Sequence, residues 1–168
     1  EKKFISELTF SEIEKLKGIF FDFDGVFTDN KVLVSENGEE SVLCFRGDGI
    51  GLSQLFKNGF DLYVISSEVN PVVKRRCEKL KINCLNSIEN KGSIIKSILK
   101  SKLLKKENAA FLGNDINDIQ AFQNVSLTIG VNDRNPLIDD YISYVTHKSG
   151  GNGAVREVCD KIISLMGI

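Results

Sequence analysis

Residues 18–29 read GIFFDFDGVFTD, and this stretch decides how the rest of the chain is interpreted. Its apolar beginning, residues 18–21, is short and aromatic, which favours a buried strand over a helix. Two carboxylates follow, Asp22 and Asp24, and a turn at Gly25 would let both converge on one centre. Buried like charges are costly unless a cation lies between them. The stretch therefore indicates a cation-assisted site at a strand end, the alternative being a polar turn that leads into a hairpin.

Short apolar runs that end in polar residues recur along the chain and alternate with amphipathic segments. Further strands are predicted at residues 61–66, 109–113, 126–129 and 144–146. Helices are predicted at residues 71–80, 91–104 and 154–166. Asn70 and Pro71 mark the start of the first of these helices as its N-cap and first position. This alternation predicts an α/β fold, a Rossmann-like three-layer αβα arrangement around a parallel sheet.

One segment breaks the alternation. Residues 31–34 and 40–45 carry alternating apolar side chains on either side of an Asn37-Gly38 turn, which predicts a small β-hairpin that projects from the sheet. Too few residues separate the polar strand ends for an inserted cap domain, so we expect a capless domain. Residues 1–17 are expected to form an N-terminal helix or linker, and residues 18–168 the single domain.

The composition of the 168-residue chain excludes several classes of protein. It holds 22 Lys and Arg against 23 Asp and Glu, so no excess of positive charge points to nucleic acid or to an acidic membrane surface. No apolar run reaches the roughly 18 residues that a membrane span requires. The four cysteines form no C-x-x-C pair and are interpreted as small buried residues in a reducing compartment. We expect a cytoplasmic domain with a small-molecule ligand.

Residues 22–29 resemble the first motif of the haloacid dehalogenase superfamily of phosphotransferases. Their Asp-Gly-Val-x-Thr-Asp form resembles one branch, the KDO 8-phosphate phosphatase family and its sialic-acid relatives. Residues 64–67 (Val-Ile-Ser-Ser) match the second motif, Lys91 the third, and residues 113–118 (Gly-Asn-Asp-Ile-Asn-Asp) the fourth. The resemblance spans about residues 17–167 and implies the capless fold of that superfamily.

The resemblance assigns a role to each motif residue. It implies that Asp22 attacks phosphorus to form an aspartyl-phosphate, and that Asp24 protonates the leaving alkoxide and then deprotonates the incoming water. It implies that Ser66 and Lys91 bind the phosphoryl oxygens as charge shifts. It also implies a Mg²⁺ ion, with candidate ligands Asp22, the main-chain carbonyl of Asp24, Asn114, Asp115 and Asp118.

Asn114 departs from the family pattern. The residue directly after the fourth-motif glycine is usually an aspartate in these phosphatases, and an amide oxygen can bind Mg²⁺ but brings no charge. Metal affinity, and with it the rate, depends on this position. The Gly-Asn-acid pattern also resembles the C-terminal domain of CMP-acylneuraminate synthetases, where a capless phosphatase-like module follows a nucleotidyltransferase. Glu1 suits a piece of such a chain and equally a free-standing domain.

Several residues near the motifs are candidates for substrate contact: Thr28, Arg46, Asp48, Ser67, Glu68, Arg76, Lys79 and Arg156. Among them Glu68, Arg76 and Lys79 resemble the pattern in phosphatases for the 9-phosphates of KDN and N-acylneuraminate. Arg76 and Lys79 share one helix face by their spacing, although the same charges would suit a solvated helix. The resemblance also implies a homotetramer formed through the hairpin, the alternative being a hairpin packed on its own domain.

The sequence therefore predicts a Mg²⁺-dependent phosphatase that acts on a nine-carbon sugar-acid 9-phosphate. It would be free-standing or the C-terminal part of a CMP-acylneuraminate synthetase. One alternative is hydrolysis of KDO 8-phosphate. A second, from a different class, is a weakly active or inactive module that tetramerises an attached cytidylyltransferase.

Overall fold

A parallel sheet of seven strands forms the centre of the computed structural model, which describes residues 2–168. Its strands are β1 (Lys3–Phe4), β2 (Gly18–Phe21), β5 (Asp61–Ile65), β6 (Asn83–Leu85), β7 (Ala109–Gly113), β8 (Leu127–Gly130) and β9 (Tyr144–Val145), with β3 (Leu33–Val34) and β4 (Glu40–Ser41) forming a separate antiparallel pair. The order across the sheet is β1-β9-β8-β7-β2-β5-β6. Parallel neighbours require a crossover connection, and most of these are helical.

Helices cover both faces of the sheet and complete the three predicted layers. They are α1 (Phe10–Ile13), α2 (Asp48–Lys57), α3 (Pro71–Leu80), α4 (Lys91–Ser101), α5 (Ile119–Phe122) and α6 (Ala154–Met166). Residues of α2, α3 and α6 belong to one apolar cluster, and residues of α4 and α5 to another on the opposite face. The helices and the parallel sheet thus form the predicted α/β fold of three layers. Of the helices within residues 2–168, none combines the length and apolar character needed to cross a bilayer.

The central strands are apolar without interruption because both of their faces are buried. Phe20 and Phe111 point into the cluster under α4 and α5, whereas their neighbours Phe21 and Leu112 point into the cluster under α2 and α6. All four side chains are fully buried. Alternate residues of a strand face opposite sides of a sheet, so covered faces on both sides demand apolar residues at every position.

The predicted hairpin is present and projects from the sheet. It is shorter than expected, with two residues in each strand, Leu33–Val34 and Glu40–Ser41. Gly38 adopts a positive φ of 84° in the turn, a conformation that glycine tolerates without strain. The side chains of Leu33 and Val34 are exposed. The first strand of the hairpin thus leaves its apolar residues in water, whereas Val42 and Cys44 after the second strand pack against the core.

Residues 2–17 pack into the same domain, so the expected boundary after residue 17 does not separate two units. Strand β1 pairs in parallel with β9 at the sheet edge. Ile5, Leu8 and Ile13 are buried in the cluster that contains α6. Burying each of these side chains, which a free linker would leave in water, stabilises the fold by about 2 kcal/mol.

Candidate active site

The polar strand ends meet where the chain changes direction across the sheet. From β2 the chain proceeds outward to β5 and β6, and it then returns to the other side of β2 to form β7. Asp22 follows β2, Ser66 follows β5 and Asn114 follows β7. In open parallel sheets such a switch point leaves a crevice beyond the carboxyl ends of the strands. The predicted residues of the first, second and fourth motifs are therefore brought to one crevice.

A buried lysine joins two of the acidic residues. Lys91 Nζ lies 2.7 Å from Asp22 Oδ1 and 2.7 Å from Asp118 Oδ1. All three side chains are nearly inaccessible to solvent. Burial raises the pKa of Asp22, the Asp118 carboxylate raises it further, and Lys91 opposes both. Burial alone would lower the pKa of Lys91, but the two carboxylates outweigh it and raise that pKa.

The second oxygen of each carboxylate faces a different environment. Asp118 Oδ2 accepts hydrogen bonds from the backbone N–H groups of Asn114 at 2.8 Å and Asp115 at 3.3 Å. Asp22 Oδ1 also accepts from the Phe23 N–H at 2.7 Å, whereas Asp22 Oδ2 has no hydrogen bond among the described residues. Asp22 therefore keeps one oxygen available for chemistry, and both oxygens of Asp118 are engaged.

The loop after β2 is organised by Thr28. Its Oγ1 accepts hydrogen bonds from the Gly25 N–H at 3.1 Å and the Asn30 N–H at 3.2 Å. Thr28 is fully buried, so the prediction that it contacts substrate is wrong, and its hydroxyl instead closes the turn. Gly25 has a φ of +80°, and a Cβ there would lie 1.9 Å from the amide nitrogen of Asn114. The first and fourth motifs interlock at this glycine.

Asp24 is the half-buried acid of the crevice. Its pKa is raised, first by burial and then by the neighbouring Glu68 carboxylate, while Lys91 lowers it. A raised pKa favours a carboxyl that must carry a proton at neutral pH and release it to a leaving group. The position of Asp24 at the cavity wall agrees with that chemistry.

A cavity of about 500 Å³ lies in front of these groups. Its lining is almost entirely polar and comprises Asp22, Asp24, Asn30, Ser67, Glu68, Asn114, Asp115, Ile116, Asn117 and Asn135. Ser66 is buried behind this lining, where its Oγ accepts the Glu68 N–H at 3.1 Å. The cavity brings together Asp22, Asp24, Ser67 and Glu68 as predicted.

The oxygen donors at the cavity wall suit a hard divalent cation. Asp22 offers a free carboxylate oxygen, and the side chains of Asn114 and Asp115 line the same cavity. Mg²⁺ accepts carboxylate, amide and main-chain oxygens. Among residues 2–168 no three histidine, cysteine, aspartate or glutamate side chains are grouped to hold a metal ion, so any site here needs the Asn114 amide or a main-chain carbonyl.

Asp118 does not fit the predicted role of a ligand. Lys91 occupies one of its oxygens and two backbone N–H groups occupy the other. Its charge instead holds Lys91 in place beside Asp22. Asp115 is partly engaged too, since its Oδ1 accepts from the Asn135 side chain at 2.9 Å. Asn114 and Asp22 are thus the side chains best placed for a metal.

The chain is similar to known hydrolases and phosphatases. A family model described as haloacid dehalogenase-like hydrolase matches residues 68–158, more than half of the chain. The chain belongs to this family. It is 32% identical over 164 residues to 3-deoxy-D-manno-octulosonate (KDO) 8-phosphate phosphatase KdsC of Escherichia coli K12, covering 97% of this chain and 87% of the relative. The corresponding Salmonella typhi protein is 30% identical with the same coverage.

Solved structures agree with this membership of the haloacid dehalogenase-like family. The KDO 8-phosphate phosphatase of Moraxella catarrhalis, in complex with magnesium ion, phosphate ion and KDO, superposes with a TM-score of 0.88 at 27% identity, covering 93% of this chain and 90% of that one. The Yersinia pestis enzyme gives a TM-score of 0.90 at 28% identity, covering 95% and 86%. The fold and the enzyme class predicted from the sequence, a hydrolase related to phosphatases, are confirmed.

Three candidate substrate residues lie outside the cavity. Arg46, Arg76 and Lys79 line a wide groove of about 1290 Å³ between α2 and α3. The Arg76 guanidinium approaches the Phe45 carbonyl at 3.4 Å. The lining of the groove does not include Asp22, and it contains six lysine and arginine side chains: Arg46, Lys57, Arg75, Arg76, Lys79 and Lys81. Arg46, Arg76 and Lys79 therefore line a different space from Asp22, and their contact with substrate stays a prediction.

Asp48 and Arg156 hold two helices together. Asp48 is too deeply buried to touch a substrate, so that prediction is wrong, whereas the contact predicted for the partly exposed Arg156 stays a prediction. Asp48 is 1% exposed, and its Oδ1 accepts the Arg156 N–H in the first turn of α6 at 3.1 Å. The Arg156 side chain donates to Asp160 at 2.7 Å and to the Gly47 carbonyl at 3.2 Å. Asp48 thus satisfies an N–H in the first turn of α6, where backbone N–H groups have no partner within the helix.

Asn135 is a site residue that the sequence analysis missed. Its backbone N–H donates to the Asn114 carbonyl at 2.8 Å, and its side chain binds both Asp115 and the Leu137 N–H. The sequence does carry a signal for a helix start here, because Asn135-Pro136 repeats the Asn-Pro pair at Asn70. Nothing in that dipeptide, however, indicates proximity to the fourth motif.

Proposed function

We propose that this protein is a Mg²⁺-dependent phosphatase that hydrolyses KDO 8-phosphate through an aspartyl-phosphate intermediate. The observation that carries the proposal is the Asp22 carboxylate, held by Lys91 through one oxygen and open to a polar cavity through the other. Asp24 stands at the same cavity, two residues along the chain. Relatives that are about 30% identical over nearly the whole chain act on this ester.

The reaction follows from the positions of these groups. Asp22 Oδ2 attacks phosphorus, the ester P–O bond breaks, and Asp24 donates a proton to the departing alkoxide. Asp24 then takes a proton from water, whose oxygen attacks the phosphoryl group and releases phosphate from Asp22. Lys91 stabilises the negative charge beside Asp22 in both steps. Bound Mg²⁺ would neutralise charge between the carboxylate and the phosphoryl oxygens, with Asp22, the Asp24 carbonyl and Asn114 as its proposed ligands.

The sugar is the finer part of the proposal. The relatives favour the eight-carbon KDO ester over the nine-carbon esters suggested by Glu68, Arg76 and Lys79. Of these three residues, Glu68 lines the active-site cavity, and Arg76 and Lys79 line the groove. The nine-carbon 9-phosphates therefore belong in the test as competing substrates.

Phosphate release in the presence of Mg²⁺ tests this function. The substrates are KDO 8-phosphate, KDN 9-phosphate and N-acetylneuraminate 9-phosphate, with Asp22→Asn as the matched control. We expect release to be fastest from KDO 8-phosphate and to fall at least about 10³-fold in the variant. Faster release from a nine-carbon ester would mean that the substrate is KDN 9-phosphate or N-acetylneuraminate 9-phosphate and not KDO 8-phosphate. No release from any ester by the folded protein would favour the attached-module alternative.

We also propose that the chain assembles into a homotetramer through the hairpin. The hairpin exposes Val32, Leu33, Val34 and Leu43, of which Leu43 is 81% exposed. Contiguous exposed apolar residues mark interaction surfaces. Fusion to a cytidylyltransferase and a cytoplasmic location remain predictions, to be checked on the native protein by its mass and by cell fractionation.

A further inference from the structure

A second cavity adjoins the active-site cavity. It has a volume of about 210 Å³ and shares Asp24, Asn30 and Glu68 with the cavity in front of Asp22. The remaining lining comes from the hairpin on one side and the start of α3 on the other: Phe23, Lys31, Val32, Glu40, Val42, Asn70, Val72 and Val73. An ester whose phosphoryl group lies at Asp22 can therefore extend its next carbons between the hairpin and α3.

Asn70 fixes a hairpin carboxylate in this cavity. Its Oδ1 accepts the Val72 N–H at 3.0 Å and caps α3, while its Nδ2 donates to Glu40 Oε2 at 2.8 Å. Within residues 2–168 the other oxygen, Glu40 Oε1, accepts no hydrogen bond. Since a carboxylate is an acceptor only, Glu40 presents a fixed and free acceptor to whatever fills the cavity.

The charges of this cavity select the chemistry of its ligand. Asp24, Glu40 and Glu68 contribute three carboxyl groups and Lys31 a single ammonium. Such a lining attracts hydroxyl donors and repels a carboxylate or a second phosphate. The cationic groove lies on the other side of Val42 and Val72, which line both spaces. This second cavity, which is rich in hydrogen-bond acceptors, therefore lies between Asp22 and the lysine and arginine side chains of the groove.

We propose that Glu40 is a specificity-determining residue that binds the hydroxyl groups on the carbons next to the phosphate ester. Asn70 is its positioning residue. Because three carboxyl groups line this cavity and repel anions, the substrate's own carboxylate is held outside it. This inference rests on the proposed function and adds to it the orientation in which a sugar acid is held.

Glu40→Ala and a hydroxyl-free ester test the inference. We expect the KM for KDO 8-phosphate to rise about tenfold with kcat nearly unchanged, because one hydrogen-bonded charge contributes about 1.4 kcal/mol. The KM for p-nitrophenyl phosphate should not move, since that ester has no hydroxylated chain. Glu36→Ala is the matched control, because Glu36 is an exposed carboxylate of the same hairpin that lines neither cavity.

Two further variants separate binding from folding. Glu40→Gln keeps an oxygen acceptor, so it should recover part of the affinity lost in Glu40→Ala. Asn70→Asp keeps the cap of α3 but loses the donor to Glu40, and we expect it to raise the KM for KDO 8-phosphate without lowering the melting temperature.

The outcomes distinguish this inference from the proposed function. If wild-type protein hydrolyses KDO 8-phosphate and Glu40→Ala leaves its KM unchanged, the inference is overturned and the proposed function stands. An equal loss of activity on both esters would also overturn it, because Glu40 would then act on the fold or the chemistry. If wild-type protein cleaves p-nitrophenyl phosphate but no sugar-acid phosphate, the proposed function is wrong, and so is the inference that rests on it.

Discussion

Asn114 sets the charge that the site can offer a cation. Asp22 and Asp118 are both carboxyl groups, and Lys91 bridges them at 2.7 Å on each side, so its positive charge offsets part of theirs. Asn114 stands beside them at the cavity wall and contributes an oxygen without charge. A second carboxylate facing the cation would strengthen its binding, because charge is the main determinant of affinity for hard cations.

Asn114→Asp is therefore expected to tighten the binding of Mg²⁺. The Mg²⁺ concentration that gives half of the maximal phosphate release should fall at least about fivefold, because an added charge near the ion contributes about 1 kcal/mol or more. A titration of activity against Mg²⁺ measures it. Asn117→Asp, which adds the same charge to an exposed residue of the same cavity, should have a much smaller effect. Equal shifts in both variants would argue against Asn114 as a ligand.

Asp48 makes stability depend on pH. Burial is the main cause that raises the pKa of Asp48 to about 7, against the N–H of Arg156 and the charges of Arg76 and Arg156, which lower it. Its Oδ2 is buried and accepts no hydrogen bond from any of residues 2–168. The folded protein therefore binds this proton more tightly than the unfolded chain does. The stability that it contributes is complete below about pH 4 and is lost as the pH rises through about 7.

Asp48→Asn should flatten this dependence. An amide oxygen can still accept the Arg156 N–H but does not ionise, so we expect the variant to lose less stability than wild type between about pH 5 and pH 8. The difference should be on the order of 2 kcal/mol in the free energy of unfolding, measured with urea at each pH. Asp160→Asn, which removes an exposed partner of Arg156, should leave the slope unchanged. Parallel curves for wild type and Asp48→Asn would contradict the assignment.

At the scale of elements, the loop before α6 supports the loop that contains Asp24. The Gly151 N–H donates to the Val26 carbonyl at 3.1 Å. A Cβ on Gly150 would lie 1.8 Å from the Gly25 carbonyl oxygen, closer than any side chain allows. The glycines of this segment are thus required by close backbone approach, and the segment acts as a seat for the turn at Gly25.

Gly150→Ala should displace the turn at Gly25 and lower both stability and activity. We expect a loss of about 3 kcal/mol in the free energy of unfolding, since the obstacle is backbone and cannot rotate away. Thermal unfolding and phosphate release measure the two effects. Gly18→Ala is the matched control, because its Cβ would meet other atoms only at 3.7 Å and beyond. Equal behaviour of the two variants would show that the seat is not needed.

The elements that could be predicted are those whose burial leaves a pattern in the sequence. Strands β2, β5 and β7 are covered on both faces and read as apolar runs, and helix α6 has the predicted bounds. Strand β6 was missed, because its three residues Asn83–Leu85 lie at the sheet edge and are only partly buried. Short, half-exposed strands carry no periodic signal.

The site could be predicted only as far as its motifs are local. The order of the four motifs located Asp22 and Lys91, but it did not show that Asp118 would pair with Lys91 instead of facing the cavity. Asp48 was predicted to contact substrate, whereas it is buried against the start of α6. Its partner is the N–H of Arg156, 108 residues away, and a contact of that range leaves no trace in a single sequence.

At the scale of the whole molecule, the hairpin is a protrusion that presents exposed apolar side chains. Leu33 is 73% exposed and Leu43 81%, on a protrusion with only two residues in each strand. We expect Leu33→Lys combined with Leu43→Lys to convert the proposed tetramer to smaller species, as measured by light scattering after size exclusion. Leu137→Lys, at a position 69% exposed elsewhere on the surface, should leave the mass unchanged. A monomeric wild-type protein would contradict the proposal.

The seat provided by Gly150 and Gly151 has a consequence for the newly made chain. Asp22 leaves the ribosome roughly 130 residues before this seat does, which corresponds to roughly ten seconds of translation. Strand β1 likewise cannot pair in the sheet until its neighbour β9 has been synthesised. A chain released early carries Asp22, the proposed nucleophile, without the segment that shapes its loop. The loop at Gly25 thus takes its final shape only after residues 150–151 have been made, and products terminated before them are expected to be inert.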